Sequence, residues 1–150
     1  MKKTHLIVHH SATQDGETFS WGAIRNFHIK DRGWRDIGYH IGTEKIGDAY
    51  WDVLGRPFDD HGAHCPDGGM NVHGIGWCIV GNFDIVAPSP DLLAHCVKTA
   101  AHLCRLFKIP VEHVLGHREA QARWGNVTKS CPGTKFDMPG FRMRLTNSLS

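Results

Sequence analysis

Apolar positions along this chain recur with different periods, and each period predicts an element. Leu6, Ile7 and Val8 form a continuous apolar run, read as a buried strand that ends at His9 and His10 where the polar stretch SATQDGET begins. After Ser20, a suitable N-cap, Trp21, Ile24, Phe27 and His28 recur at helical spacing until Gly33, which predicts one short amphipathic helix. Residues 38–42 and 49–54 are short aromatic and β-branched segments separated by glycine-bearing turns, the pattern of paired antiparallel strands. Residues 59–74, DDHGAHCPDGGMNVHG, hold five glycines or prolines beside three histidines and read as a loop without regular structure.

Ile75 to Val80 predicts a second buried strand. Ser89 and Pro90 then open a helix with Leu93, Cys96, Val97, Ala100, Leu103, Cys104 and Phe107 on one stripe, closed by Lys108 and Pro110. His95 and His102 fall on its opposite, wet face. Val111 to Leu115 reads as a last strand leading into GHRE, followed by a loop to Cys131-Pro132-Gly133 and a terminal helix from near Asp137 with Phe141 and Leu145 inward. Strands alternating with helices, with hairpin-like segments between them, predict an α/β fold: a mixed central sheet flanked by helices, one domain over residues 1–150.

Composition narrows the function classes. A chain of 150 residues can bury roughly 70% of its unfolded surface, and 41% hydrophobic with 21% charged residues excludes disorder. No apolar run approaches the ~20 residues of a membrane span, so no membrane insertion is expected. A net charge of +2 gives no footprint for a nucleic-acid partner, and no phosphate-loop glycine pattern follows any strand. The opening MKKTHLIVHH lacks the ~7 to 15 apolar residues of a signal-peptide core, so synthesis in the cytoplasm is expected. Five cysteines, odd in number and without a C-x-x-C pair, are expected to be mostly free thiols. The outlier is histidine, twelve in all, which raises the case for a metal or acid/base site.

Two histidine clusters compete. His9 and His117 each stand just past a predicted buried strand, and Cys131 could complete a three-ligand set with an open fourth position, which suits Zn2+. His61, His64, Cys65 and His73 are more compact in sequence, and spacing alone does not rank the two sets. His5 and His113, placed inside strands, and His95 and His102 on the wet helix face read as structural.

Five runs in sequence order, LIVHHSAT at 6–13, GWRDIGYHI at 33–41, GAHC at 62–65 leading to IGWCIVG at 75–81, GHRE at 116–119 and KSCPG at 129–133, resemble the zinc-dependent N-acetylmuramoyl-L-alanine amidases of the phage-lysozyme type, whose fold the peptidoglycan recognition proteins share. The resemblance covers about residues 5–140. It implies Zn2+ on His9, His117 and Cys131, with His10 a neighbour, and Tyr39 and Lys129 as the catalytic pair. His64 is expected to line the substrate groove. Cys78 stands where some relatives carry an acid/base glutamate, Gly74 where many have serine and Cys65 where they have alanine. The loop from Arg118 to Ser130 looks longer than in the compact phage enzymes.

The implied reaction is hydrolysis of the amide between N-acetylmuramic acid and L-alanine in peptidoglycan, by a monomer made in the cytoplasm that acts on the wall after release as a phage or prophage lysis enzyme. A cell-wall-fragment recycling amidase, an injected antibacterial toxin and a non-catalytic peptidoglycan-binding module on the same fold are the alternatives. A two-carboxylate glycosidase is a further rival, but none of the fifteen acidic residues sits in a recognisable context for it.

Overall fold

Period-two alternation assigns each strand residue to one side of the sheet. In the computed structural model, which describes residues 2–14 and 21–150, strand β1 (His5–His10) runs parallel to both its neighbours, β4 (Gly74–Ile79) and β5 (Val114–Gly116). Strand β2 (Ile41–Ile46) pairs parallel with β4, and β3 (Ala49–Leu54) pairs antiparallel with β2, giving the order β3-β2-β4-β1-β5. This is the mixed sheet of a single-domain α/β fold. Leu6 and Val8 of β1, Ile75, Trp77 and Ile79 of β4 and Val114 of β5 share one core with Cys96 and Leu103 of helix α3 (Pro90–Phe107) and Phe141 and Leu145 of α5 (Met138–Leu149). Burial of each such side chain is worth about 1.5–3 kcal/mol. The alternate residues, Ile7, His9, Gly76, Cys78 and Leu115, serve the opposite face.

That second face is covered by shorter pieces. Helix α1 (Trp21–Asn26) continues as a π-helical turn, Phe27–Asp31, and ends at Gly33 with φ +67°. The wider turn rotates later side chains outward, so Trp21 is buried while Phe27, expected inward, is 48% exposed. Ser20, the expected N-cap, lies outside the described residues. The expected strand 38–42 begins only at Ile41, because the backbone of Tyr39 and His40 turns away to bond Arg56, Gly55 and Gly76.

The segment expected to be loop over 59–74 contains a 3-10 turn, Asp67–Gly69, and the short helix α2 (Met70–His73); Gly68 and Gly69 take φ of +60° and +71°, which glycine allows at little cost. Helix α4 (His117–Trp124) likewise takes up the first part of the loop expected after GHRE. His113 sits in a 3-10 turn, Val111–His113, and not inside a strand. Both ends of α3 follow the sequence: Ser89 accepts from the Leu92 amide, and Lys108 closes the helix at φ +56°. The buried stripe of α3 includes Leu92, Thr99 and Ala101, while Leu93, Val97 and Phe107 pack at its margin, because the helix touches both the sheet and α5. His102 is exposed, but His95 is half-buried, with Nε2 3.1 Å from Oδ1 of Asp52 on β3. No helix among the described residues is long and apolar enough to cross a membrane.

Candidate metal centre and groove

His9 is set by strand register. It shares the Ile7 side of β1, away from the α3–α5 core, and lies beside Cys78 of β4. His10 points to the other side, where its Nδ1 accepts from the Phe83 amide at 3.1 Å. His9 is part of β1 rather than beyond it, and His117 opens α4 one residue after β5. Parallel pairing of β1 with β5 brings the two imidazoles together, ring centroids 4.7 Å apart. Cys131 reaches them from the loop before α5, its Sγ 3.5 Å from His9 Nδ1. Donor atoms of His9, His117 and Cys131 all lie within 4.8 Å of one another.

The chemistry of these donors fits a borderline-soft divalent cation. Burial, then the neighbouring His64 and His117, holds His9 well below the usual imidazole range, so the ring is neutral and its lone pair free for coordination. His9 Nε2 lies 3.1 Å from His64 Nδ1, which leaves Nδ1 facing Cys131. A hydrogen bond at the far nitrogen is how a ligand histidine is usually oriented, and here the partner is a second imidazole. Burial pushes the Cys131 thiol up to about 12 in the metal-free chain, so coordination would have to expel its proton.

Several residues that sequence reading passed over hold this arrangement. The Arg118 guanidinium donates to the carbonyls of Ser130, Gly133 and Phe136, and the Arg118 amide to the Cys131 carbonyl at 2.8 Å, which fixes the loop that carries the thiol. Glu119 accepts from the Gly116 amide at 2.8 Å and forms a two-pronged pair with Arg142 at 2.7 and 2.9 Å, pinning the junction from which His117 projects. Gln121 Oε1 accepts from the amides of Thr128 and Lys129, and Asp84 accepts from Ser130 and Thr134. Arg118 and Glu119 stand inside GHRE, so their proximity to the site was legible; their partners outside that motif, 12 or more residues away, were not.

An open groove of about 1420 Å³ runs over the cluster, lined by His9, His117 and Cys131, by Tyr39 and Lys129, and by Thr13, His28, Arg32, Trp34 and Asn126 among others. The Tyr39 ring lies 5.1 Å from His9, with the Cys78 thiol near its hydroxyl. Burial, then the nearby Cys78 and Cys131, pushes the phenol well above its usual range, so Tyr39 keeps its proton. Lys129 is exposed at the rim, with its backbone tied to Gln121. His64 touches the groove but is only 8% exposed, packed beneath His9 over Gly76 and Gly62, where any side chain would collide with its ring. Asn71 Oδ1 accepts from the amides of His64 and Cys65 and sets that turn. Of the competing loop cluster, His61 and His73 are exposed and do not join His64 and Cys65; only Cys65 enters a second grouping of potential ligands, with Asp67 and His117. All five cysteines are free.

A mixed sheet thus carries, beneath an open groove, a His–His–Cys cluster whose donor atoms could hold a metal ion. Residues 1–134 match the family model described as N-acetylmuramoyl-L-alanine amidase (Amidase_2), and the chain belongs to that family. It is 26% identical over 137 residues to peptidoglycan-recognition protein SC1a of Drosophila melanogaster, spanning 87% of this chain and 68% of the relative. It is 35% identical over 79 residues to the endolysin of Escherichia phage T7, spanning 53% of this chain and 48% of that protein. The solved structure of the N-acetylmuramoyl-L-alanine amidase LysC from Clostridium intestinale shares its fold, with a TM-score of 0.78 and 24% identity over 97% of this chain and 86% of that one.

Proposed function

We propose that residues 1–150 act as one catalytic domain, a Zn2+-dependent N-acetylmuramoyl-L-alanine amidase that cleaves the amide between the lactyl group of N-acetylmuramic acid and L-alanine, with cell-wall lysis as its setting. The observation that carries this reading is the convergence of His9, His117 and Cys131 beneath an open groove in a member of the amidase family. His9, through Nδ1, His117 and Cys131 would hold the ion, which when bound supplies Lewis-acid polarisation of the carbonyl and activation of water. His64 keeps the His9 ring oriented from below.

Tyr39, held protonated by its buried setting, presents a hydroxyl that donates to the carbonyl oxygen as it gains charge or to the departing nitrogen. Lys129 projects a cation from the groove rim, where it favours negative charge developing over the cluster. Both residues line the groove, so an extended glycan-peptide strand can reach them.

The bond cleaved is read from products. Digestion of purified peptidoglycan should free L-alanine amino groups and leave reducing sugar ends unchanged, with activity lost in chelator and restored by added zinc. His9→Ala and Cys131→Ala should lose both the metal and lysis. Reducing ends without new alanine termini would make the protein a glycosidase. Peptidoglycan binding with neither product would place the chain among non-catalytic recognition modules.

A further inference from the structure

Beside His117, a second set of potential ligand groups stands with few partners of its own. The His117 side chain is 5% exposed and its Nε2 is buried with no hydrogen-bond partner. An orphan of this kind costs roughly 1–3 kcal/mol unless a ligand engages it. One ring nitrogen of His117, the Cys65 sulfur and an Asp67 carboxylate oxygen lie within 4.8 Å of one another. Cys65 is fully buried, and its thiol has only a 4.0 Å contact with the Asp67 carbonyl. No hydrogen bond from the described residues reaches the Asp67 carboxylate.

The surroundings are built closely around these three groups. Asn71 fixes the Cys65 backbone, and Gly68 takes φ +60° under the Trp124 indole, which leaves no room there for a side chain. Gly125, at the end of α4, makes room for the Asp67 carboxylate: a Cβ there would strike Oδ1. A thiol, a carboxylate and an imidazole form a mixed S/O/N set that suits Zn2+ or Co2+ and suits Mg2+ or Ca2+ poorly.

We propose that Cys65, Asp67 and His117 form a second divalent-metal site, adjoining the first and sharing His117. An imidazole carries one nitrogen on each side of its ring, so His117 can serve the first ion with one and this second site with the other once its ring N–H proton is lost. On binding, the Cys65 thiol and the His117 ring N–H each give a proton to solvent, and the thiolate and the bridging imidazolate take up the ion with no redox change. The site rests on the zinc reading of His9, His117 and Cys131 only in sharing His117; its own metal can be followed separately because it has its own thiolate.

Full-length protein, stripped with chelator, is titrated with zinc chloride, freed of excess metal by gel filtration and assayed for metal per chain. The wild type should level at two zinc ions, and Cys65→Ala and Asp67→Asn at one. Cobalt chloride then separates the sites by colour: Cys131→Ser should keep a thiolate-to-cobalt charge-transfer absorption that disappears in Cys65→Ala/Cys131→Ser, while Cys65→Ala alone keeps the absorption belonging to Cys131. A wild-type plateau at one ion that Cys65→Ala leaves in place, or Cys131→Ser without the thiolate–cobalt absorption, overturns the proposal. Failure of the first site would show differently, as wild-type and Cys131→Ser proteins that hold the same single metal and lose it together on Cys65→Ala.

Discussion

At the residue scale, Tyr39 and Lys129 differ in what surrounds them. Tyr39 is packed between His9 and Cys78, where burial keeps its proton in place, and Lys129 stands in solvent on a loop anchored by Gln121. Tyr39→Phe removes one oxygen from a packed ring and Lys129→Ala removes a surface amine, so neither disturbs the fold or the ligand set. Each should leave metal content unchanged and lower turnover on purified cell walls by roughly 10²- to 10³-fold, the range for a lost proton donor or charge stabiliser. Elemental analysis beside a lysis assay checks this, and wild-type turnover in either variant removes that residue from the mechanism.

At the scale of elements, the site depends on joining two pieces that contribute no ligand atoms to each other: the start of α4 and the loop before α5. Arg118 forms that joint, donating from α4 to three carbonyls of the loop that carries Cys131. Arg118→Ala leaves those carbonyls without their donor and frees the thiol to drift from His9. We expect a 10- to 100-fold loss of zinc affinity, the effect typical of removing a residue that positions a ligand. Competition against a chromogenic zinc chelator measures it. Arg118→Lys should recover only part, since one ammonium cannot serve three acceptors in the guanidinium's fixed fork.

Across the whole molecule, buried neutral imidazoles link stability to pH. His40 is fully buried; the Gly76 amide donates to its Nδ1, so the ring proton sits on Nε2 and reaches the Asp60 carbonyl. Burial, reinforced by the nearby Lys3 and Arg56 charges, lowers it to about 4, against an unfolded value near 6.5. Between those values the unfolded chain takes up a proton that the folded chain refuses. The contribution is therefore complete above about pH 6.5 and is lost as pH falls toward 4, at up to about 1.4 kcal/mol per pH unit. Urea unfolding of the metal-free protein from pH 7 to 4.5 should show this slope, and His40→Gln should flatten it by about that amount. An unchanged slope in the variant would mean that His40 does not remain neutral in the fold.

What could be read from the chain alone was whatever depends on neighbours in sequence. Continuous apolar runs placed Leu6–Val8 and the stretch from Ile75 in buried strands, and local capping placed both ends of α3. The ordered runs from LIVHHSAT to KSCPG pointed to the family, and with it to His9, His117 and Cys131 as a set, although spacing alone could not rank them above the loop cluster around His64. Tertiary structure decided the rest. Regular turns over Asp67–His73, the helix after GHRE and the π-turn after α1 are short elements whose local propensity is weak and whose packing partners are distant. The same holds for chemistry: that His64 supports His9 from below, and that Asp67 and Cys65 stand beside His117, follows from strand register and chain crossings that bring together residues as far as 55 positions apart. No periodicity records such contacts, because they exist only once the parallel strands have paired.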